Sequence, residues 1–174
     1  KMKYINKLMC ICLLIGILFS CTNQKETIYV DRDGVLYEVA DQVSFYYPKT
    51  FSIDISRENT DIVQFTRDQE VITYSMRVDN FDNLITDMPH LYEGELETMG
   101  AKEIAFHKKT LDSGNECYMF SGYYGATGIK FKHIVFFSIE ETYIYAYQAP
   151  KDIYDDHIQT ITHYLETLTI HYEI

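Results

Sequence analysis

The sequence contains no tryptophan, only three prolines and only eight glycines in 174 residues. Disordered stalks, collagen-like rods and low-complexity linkers are usually rich in proline or glycine, so the composition argues against all three. The aromatic residues are instead 16 tyrosines and 10 phenylalanines. Side chains of this size fill cores, and the composition therefore predicts a folded domain rich in tyrosine.

Recognisable catalytic motifs are also missing. The chain has no G-x-S-x-G elbow, no P-loop and no H-E-x-x-H zinc motif. Its six histidines lack the short spacing that places two imidazoles on one helix face, and its many carboxylates are scattered. We therefore predict no enzyme, no cofactor and no metal site, although a site assembled from distant residues stays open.

The one long hydrophobic run lies at the start of the chain. An apolar stretch over residues 8–19 follows three basic residues, Lys1, Lys3 and Lys7, and residues 1–20 contain no acidic residue. This stretch is too short to cross a bilayer, which needs about 20 apolar residues. A basic start before a short apolar core is typical of a secretion signal, so residues 1–20 are predicted to be a signal peptide.

The leader ends in Leu18-Phe19-Ser20-Cys21, which resembles the lipobox of bacterial lipoproteins. In that family the cysteine thiol takes a diacylglyceryl group, and the signal peptide is cleaved just before it. The resemblance implies cleavage between Ser20 and Cys21 and a membrane anchor made of acyl chains on Cys21. Phe19 is bulkier than the usual residue at its position. The alternatives are an ordinary secretory signal with an incidental Cys21, or a single membrane-spanning anchor.

A lipid anchor at Cys21 places the protein on the extracytoplasmic face of the cell membrane. Residues 21–26 then form the lipidated cysteine and a polar tether, and residues 27–174 form a single domain. Position 22 is threonine and not the aspartate that favours retention in the inner membrane, so the sequence does not decide between the inner and the outer membrane. Cys117 is then the one remaining thiol, and we predict a buried cysteine on a strand.

The leader also changes the charge balance. It holds three of the 15 basic residues and none of the 26 acidic ones, which leaves a net charge of −14 from Cys21 onward. A surface this acidic repels a phosphate backbone, so nucleic-acid binding is not expected. Five basic residues nevertheless lie close together in sequence and predict either a basic face or protection of a strand edge. They are Lys102, Lys108, Lys109, Lys130 and Lys132.

Alternation of apolar and polar residues predicts several strands. Residues 27–40 are typical of a hairpin that turns at Asp33-Gly34, and residues 61–79 are typical of a second hairpin. Four more strands are expected between residues 101 and 149. Because the connections are short, the strands are expected to pair antiparallel.

Two segments have helical spacing instead. From Asp87 to Gly100 the apolar residues recur every three or four positions, with Pro89 in the first turn. A longer amphipathic stripe runs from Tyr154 to Leu168. The order of strands and helices predicts an α+β fold, in which helices flank a twisted, mainly antiparallel sheet.

Two stretches carry a resemblance to a known fold. Residues 43–53 have the sequence VSFYYPKTFSI, and residues 143–170 have the sequence YIYAYQAPKDIYDDHIQTITHYLETLTI. Both stretches resemble the PsbP-like fold. That α/β/α sandwich is shared by a photosystem II extrinsic protein, a Ran-binding transport factor and many bacterial lipoproteins of unknown role. Phe51 stands where relatives often carry tryptophan, and the metal-associated histidines of photosynthetic members have no counterpart here. The resemblance implies an accessory or binding role, which predicts a protein partner at the cell envelope.

Tyrosines supply the candidate binding residues. Because two predicted helices cannot cover every strand, part of a sheet face is expected to be exposed. Tyr46, Tyr47, Tyr123 and Tyr124 are the candidates, since a tyrosine ring is apolar and its hydroxyl can still hydrogen-bond. The alternatives are that these rings belong to the core, or that they line a pocket for a small molecule or glycan.

Overall fold

The computed structural model describes residues 30–39, 42–57, 61–78 and 87–171. From Val43 onward, runs of strands are separated by two long helices in the order that the sequence predicts, and the layers form an α/β/α sandwich. The predicted α+β fold with a mainly antiparallel sheet is confirmed.

The elements are numbered along the chain. The helices are α1 (Val30–Asp33), α2 (Met88–Thr98) and α3 (Lys151–Leu165), and Ile55–Arg57 forms a 3-10 turn. The strands are β1 (Gly34–Val39), β2 (Val43–Pro48), β3 (Ser52–Ile53), β4 (Ile62–Arg67), β5 (Glu70–Val78), β6 (Ala101–Thr110), β7 (Glu116–Tyr124), β8 (Lys130–Phe137), β9 (Glu141–Ala149) and β10 (Thr169–Ile170).

The described strands form two antiparallel sheets. The large sheet has the order β3-β4-β5-β9-β8-β7-β6, and the small sheet has the order β1-β2-β10. Helix α3 and the small sheet cover one face of the large sheet, which we call the α3 face. Helix α2 packs on the opposite face, called the α2 face. The predicted hairpin β4–β5, the helix α2 and the four strands β6 to β9 are confirmed.

The predicted turn at Asp33-Gly34 is wrong. Val30–Asp33 is a helical turn, and β1 begins at Gly34 and pairs with β2 along its whole length. The glycine is required by close packing, since a Cβ there would lie 2.6 Å from the Val30 carbonyl oxygen and 2.9 Å from Tyr164 Cε1. Residues 27–29 of the predicted hairpin lie outside the described residues.

The last helix is shorter than its apolar stripe predicts. Helix α3 ends at Leu165, and the chain then turns so that β10 can pair with β2. Leu168 is buried beyond the helix end, where it belongs to the core between the two sheets. Apolar spacing alone does not distinguish a buried residue on the helix from one just after it.

The core of the α3 face is built from aromatic rings. Phe45 on β2 is fully buried, and its ring lies 4.3 Å from the Tyr145 ring and 5.4 Å from the Tyr74 ring. The Tyr145 hydroxyl donates to the Tyr46 carbonyl oxygen at 2.9 Å, which ties the large sheet to the small one. Buried tyrosines of this kind contribute apolar area while their hydroxyls stay hydrogen-bonded.

Cys117 is buried in this core, as predicted. Burial raises the pKa of its thiol to about 12, because the low-dielectric interior disfavours a thiolate. Cys117 is therefore an unreactive apolar side chain at physiological pH.

Two glycines give a matched stability test. In Gly122→Ala the new Cβ would lie 2.9 Å from the Lys102 carbonyl oxygen and 2.9 Å from Phe131 Cζ, so we expect a loss of about 1–3 kcal/mol. In Gly94→Ala the Cβ would meet nothing within 4 Å, and a helix interior favours alanine by about 0.5–1 kcal/mol. Denaturant unfolding should therefore give opposite signs for the two variants, and equal signs would contradict the packing described.

Candidate binding surface

The four candidate tyrosines do not form one surface. Tyr47 is only 7% exposed and its ring stacks 4.1 Å from the Phe65 ring. Tyr47 is therefore a core residue, and its expected place on an exposed patch is wrong. Tyr46, the preceding residue on β2, is half-buried and belongs to the small sheet.

Tyr123 and Tyr124 are neighbours on β7 and lie on opposite faces of the large sheet. Tyr124 packs on the α2 face, with its ring 5.1 Å from the Phe131 ring. Tyr123 lies on the α3 face and is half-buried. Of the four candidates, Tyr123 is the one that strand pairing places among the predicted lysines.

Strand register builds this surface. Tyr123 pairs with Lys102 on β6 and with Lys130 on β8, so the three side chains form one row across three strands. The next row contains Ser121 and Lys132, which pair directly across β7 and β8. Side chains opposite each other on neighbouring strands lie about 5 Å apart at Cβ.

A β-bulge keeps the row on β6 in place. The register shifts between Lys102 and Ala105, and Glu103 inside the bulge has a φ of 51°. Without the bulge these two residues, three apart, would face opposite sides of the sheet. With it, Lys102 and Ala105 both face the α3 side.

We call this set the lysine surface. It consists of Lys102, Lys109, Lys130 and Lys132 together with Ser121 and Tyr123. The fifth predicted lysine, Lys108, lies on the α2 face and pairs with Glu116 at 2.7 Å. Four of the five lysines therefore share one face, and Lys102 and Lys109 also lie on the edge strand β6, as the alternative of strand-edge protection expects.

Helix α3 borders the lysine surface with one polar stripe. Asp155 and Thr162 lie two turns apart on the same side of the helix, and Glu166 follows at its C-cap. Lys130 Nζ lies 2.5 Å from Asp155 Oδ1, and Lys109 Nζ forms an ion pair with Glu166. Two of the four lysines are therefore neutralised by carboxylates of the same chain.

Lys132 is different. Its Nζ donates to Thr162 Oγ1 at 3.0 Å, and that hydroxyl donates in turn to the Ile158 carbonyl oxygen at 2.6 Å. Burial lowers the pKa of Lys132, because a half-buried ammonium loses solvation; Glu166 opposes this effect and Lys109 adds to it. Among the described residues, no carboxylate forms an ion pair with Lys132.

A second polar cluster lies inside the fold. Glu70 is 3% exposed and accepts two hydrogen bonds from Arg67, at 2.7 and 2.8 Å. The Tyr147 hydroxyl donates to Glu70 Oε1 at 2.7 Å, and His157 Nδ1 lies 2.9 Å from the same oxygen. No sequence pattern predicts this cluster, because its members come from β4, β5, β9 and α3.

The Glu70 cluster is suited to holding the fold together. Burial on its own would raise the pKa of Glu70, but the hydrogen bonds from Arg67, Tyr147 and His157 outweigh it and hold that pKa below the usual range. A carboxylate that is ionised and engaged by three partners is a poor proton acceptor. The cluster instead ties the β4–β5 turn to β9 and to helix α3.

His133 is a further buried titratable group. It is 4% exposed beneath helix α2, and its Nδ1 lies 2.9 Å from the Tyr92 hydroxyl. Burial lowers the pKa of His133 to about 4, so the ring is neutral at physiological pH. In the described ranges, no three His, Cys, Asp or Glu side chains are grouped closely enough to hold a metal ion.

None of the helices in the described residues has the length and hydropathy needed to cross a bilayer.

Three solved structures are similar to this chain. The cyanobacterial PsbP (CyanoP) of Synechocystis sp. PCC 6803 has 14% identity and a TM-score of 0.58, with 90% of this chain and 100% of that chain covered. The Ran-binding protein Mog1p of Saccharomyces cerevisiae has 9% identity and a TM-score of 0.52, and the match covers 79% of this chain and 95% of Mog1p. PA94 of Pseudomonas aeruginosa, a protein of unknown function, has 11% identity and a TM-score of 0.51, and the match covers 80% of this chain and 99% of PA94.

No protein-family model and no curated protein matches the sequence. At identities this low, similarity of structure carries information on the fold and not on activity. Layer order, sheet topology and near-complete coverage of CyanoP nevertheless agree with the resemblance drawn from the sequence. The chain has the PsbP-like fold.

Proposed function

We propose that this protein is a non-enzymatic, lipid-anchored binding module, which holds a protein partner at the extracytoplasmic face of the bacterial cell envelope. The single observation that carries the proposal is the lysine surface, where strand register collects four lysines and a half-exposed tyrosine beside α3. In a chain with a net charge of −14 after its leader, a local excess of positive charge, with four lysines against two carboxylates, is the basis for proposing a contact surface.

The arrangement of this surface suits contact with a protein better than chemistry. Ala105 and His107 on the edge strand β6 are exposed next to it, so it lies open along one side of α3. Among the described residues, Glu70 and His133 are poorly placed for acid–base work on a ligand, since Glu70 is engaged by three partners and His133 is covered by α2. Mog1p, which has the same fold, is a Ran-binding protein, and this supports protein binding as a use of the architecture.

The anchor is supported by the sequence. The basic start, the short apolar core and Ser20-Cys21 together match a lipoprotein leader. Acyl chains on one cysteine hold a protein at the membrane, since each buried methylene contributes about 0.8 kcal/mol. The polar residues 22–26 would then separate the folded domain from the membrane surface.

Crosslinking in living cells tests this function. The full chain would be crosslinked with formaldehyde, purified through a C-terminal tag and analysed by mass spectrometry, with Cys21→Ser as the unanchored control. We expect one envelope protein to be enriched with the anchored chain and at least about tenfold less with the control, because anchoring raises the local concentration of the pair. Recovery of a polysaccharide, or of the same background proteins with both forms, would contradict the proposal.

A further inference from the structure

We propose that Lys132, together with the hydroxyls of Ser121 and Thr162, forms a position that receives a carboxylate from an acidic segment of the protein partner. This inference rests on the proposed binding function and names the chemistry of the partner. It assigns the specific contact to the middle of the lysine surface, between α3 and β7.

The positive charge of Lys132 has no carboxylate partner among the described residues. An ammonium group has three N–H donors, and the described residues accept one of them, at Thr162 Oγ1. The neighbours Lys130 and Lys109 already hold carboxylates of α3. A half-buried ammonium that is bonded only to a neutral hydroxyl is a position where an incoming carboxylate gains a charge-assisted hydrogen bond.

Lys132 can be reached from the edge of the large sheet. Lys132 pairs with Ser121 on β7, and Ser121 pairs with Ala105 on the edge strand β6. Both neighbours are small, Ala105 is exposed, and Ser121 Oγ has no hydrogen-bond partner within the described residues. A carboxylate approaching over Ala105 would therefore meet a free hydroxyl donor and the Lys132 ammonium together.

Charge selects the occupant. The lysine surface holds four lysines against the two carboxylates of Asp155 and Glu166, while the chain from Cys21 onward is strongly acidic. An acidic segment is repelled by the rest of the molecule and attracted here. An anionic lipid surface shares the carboxylate or phosphate chemistry, but a chain with a net charge of −14 is repelled by such a bilayer as a whole. The half-exposed Tyr123 beside Lys102 and Lys130 also favours a protein, since tyrosine is enriched at protein interfaces.

Site-specific photocrosslinking of the full, anchored chain in cells tests the position. A photoreactive phenylalanine derivative would replace His107, which is exposed on β6 on the same face, or Glu97, which is exposed on α2 on the opposite face. We expect a crosslinked protein at position 107 and none at position 97. The partner peptide joined to position 107 should contain aspartate or glutamate.

Two lysine variants then separate a specific contact from general attraction. Lys132→Met and Lys108→Met each remove one positive charge, but Lys108 lies on the α2 face. The yield at position 107 should fall at least about tenfold with Lys132→Met, because a carboxylate loses its paired charge, and should not change with Lys108→Met. Lys132→Met should not lower the melting temperature, because it removes a half-buried ammonium group. Ser121→Ala is a second variant that leaves the fold intact, and we expect it to reduce the crosslinking yield at position 107 several-fold.

Several results would overturn the inference. These are an equal fall in yield for both lysine variants, unchanged yield with both Lys132→Met and Ser121→Ala, a neutral or basic crosslinked peptide, or attachment of a lipid or glycan at position 107. If formaldehyde captures a partner that position 107 does not reach, the position is wrong while the binding function stands. If neither method captures a partner, both fail.

Discussion

Glu70→Ala is expected to lower the free energy of unfolding by about 3–5 kcal/mol, because it removes the buried carboxylate at the centre of an ionic cluster and leaves its three partners without it. Arg67 would lose two hydrogen bonds, and Tyr147 and His157 would each lose a contact with the carboxylate. The expected loss is large because Glu70 is buried and the cluster joins three parts of the fold.

Glu95→Ala is the matched control. Glu95 on helix α2 also accepts two hydrogen bonds from an arginine, Arg77 on β5, at 2.7 and 3.1 Å, but this pair is exposed. Its removal should cost about 1 kcal/mol or less, since exposed ion pairs contribute little. Urea unfolding of both variants measures the difference, and similar losses would mean that the Glu70 cluster does not stabilise the fold as described.

The pH dependence follows from the lowered pKa of Glu70. A carboxyl group whose pKa is lower in the folded state stabilises the protein fully above its unfolded value, about 4.3, and this contribution is lost as the pH falls through the folded value. The difference in stability between the wild type and Glu70→Gln should therefore be largest near neutral pH and shrink as the pH falls below about 4. A difference that stays constant down to pH 3 would contradict the ionised state assigned to Glu70.

Cys21→Ser is expected to abolish acylation of the chain altogether. If Cys21 carries the acyl chains, the serine variant has no thiol to modify, and any membrane retention that remains would come from an uncleaved apolar leader at residues 8–19. Metabolic labelling with an alkyne analogue of palmitate should therefore label the wild type and fail to label the variant.

Cys117→Ser is the control for this labelling. Cys117 is buried in the core with a pKa raised to about 12, so it offers no accessible thiolate. The label should persist in this variant. Label retained in Cys21→Ser, or lost in Cys117→Ser, would place the modification elsewhere and remove the support for the anchor.

The strands and long helices could be predicted because their signals are local. Alternation with a period of two identified β6 to β9, and helical spacing with Pro89 in the first turn identified α2. The turn at Asp33-Gly34 failed for a different reason. Glycine is used both for positive φ and for close packing, and only the folded structure shows that packing against the Val30 carbonyl oxygen and the distant Tyr164 ring applies here.

The binding surface could be predicted only in part. The clustering of lysines in sequence was a useful signal, but their division between the two faces depends on the bulge at Glu103, which has no reliable local signature. Tyr46 and Tyr47 show the same limit, since the packing of the small sheet on the large one buries Tyr47 and leaves its neighbour half-buried. The Glu70 cluster was not predictable, because Glu70 and His157 are 87 residues apart.

The central claim is that a partner docks on the lysine surface, and hydrogen–deuterium exchange of the full chain with and without its captured partner tests it most directly. We expect slower exchange in the complex for β6 and β7, which carry part of the lysine surface, and unchanged exchange for β1 and α2. Protection confined to β1 or α2, with β6 and β7 unaffected, would show that the partner binds elsewhere and would contradict the claim.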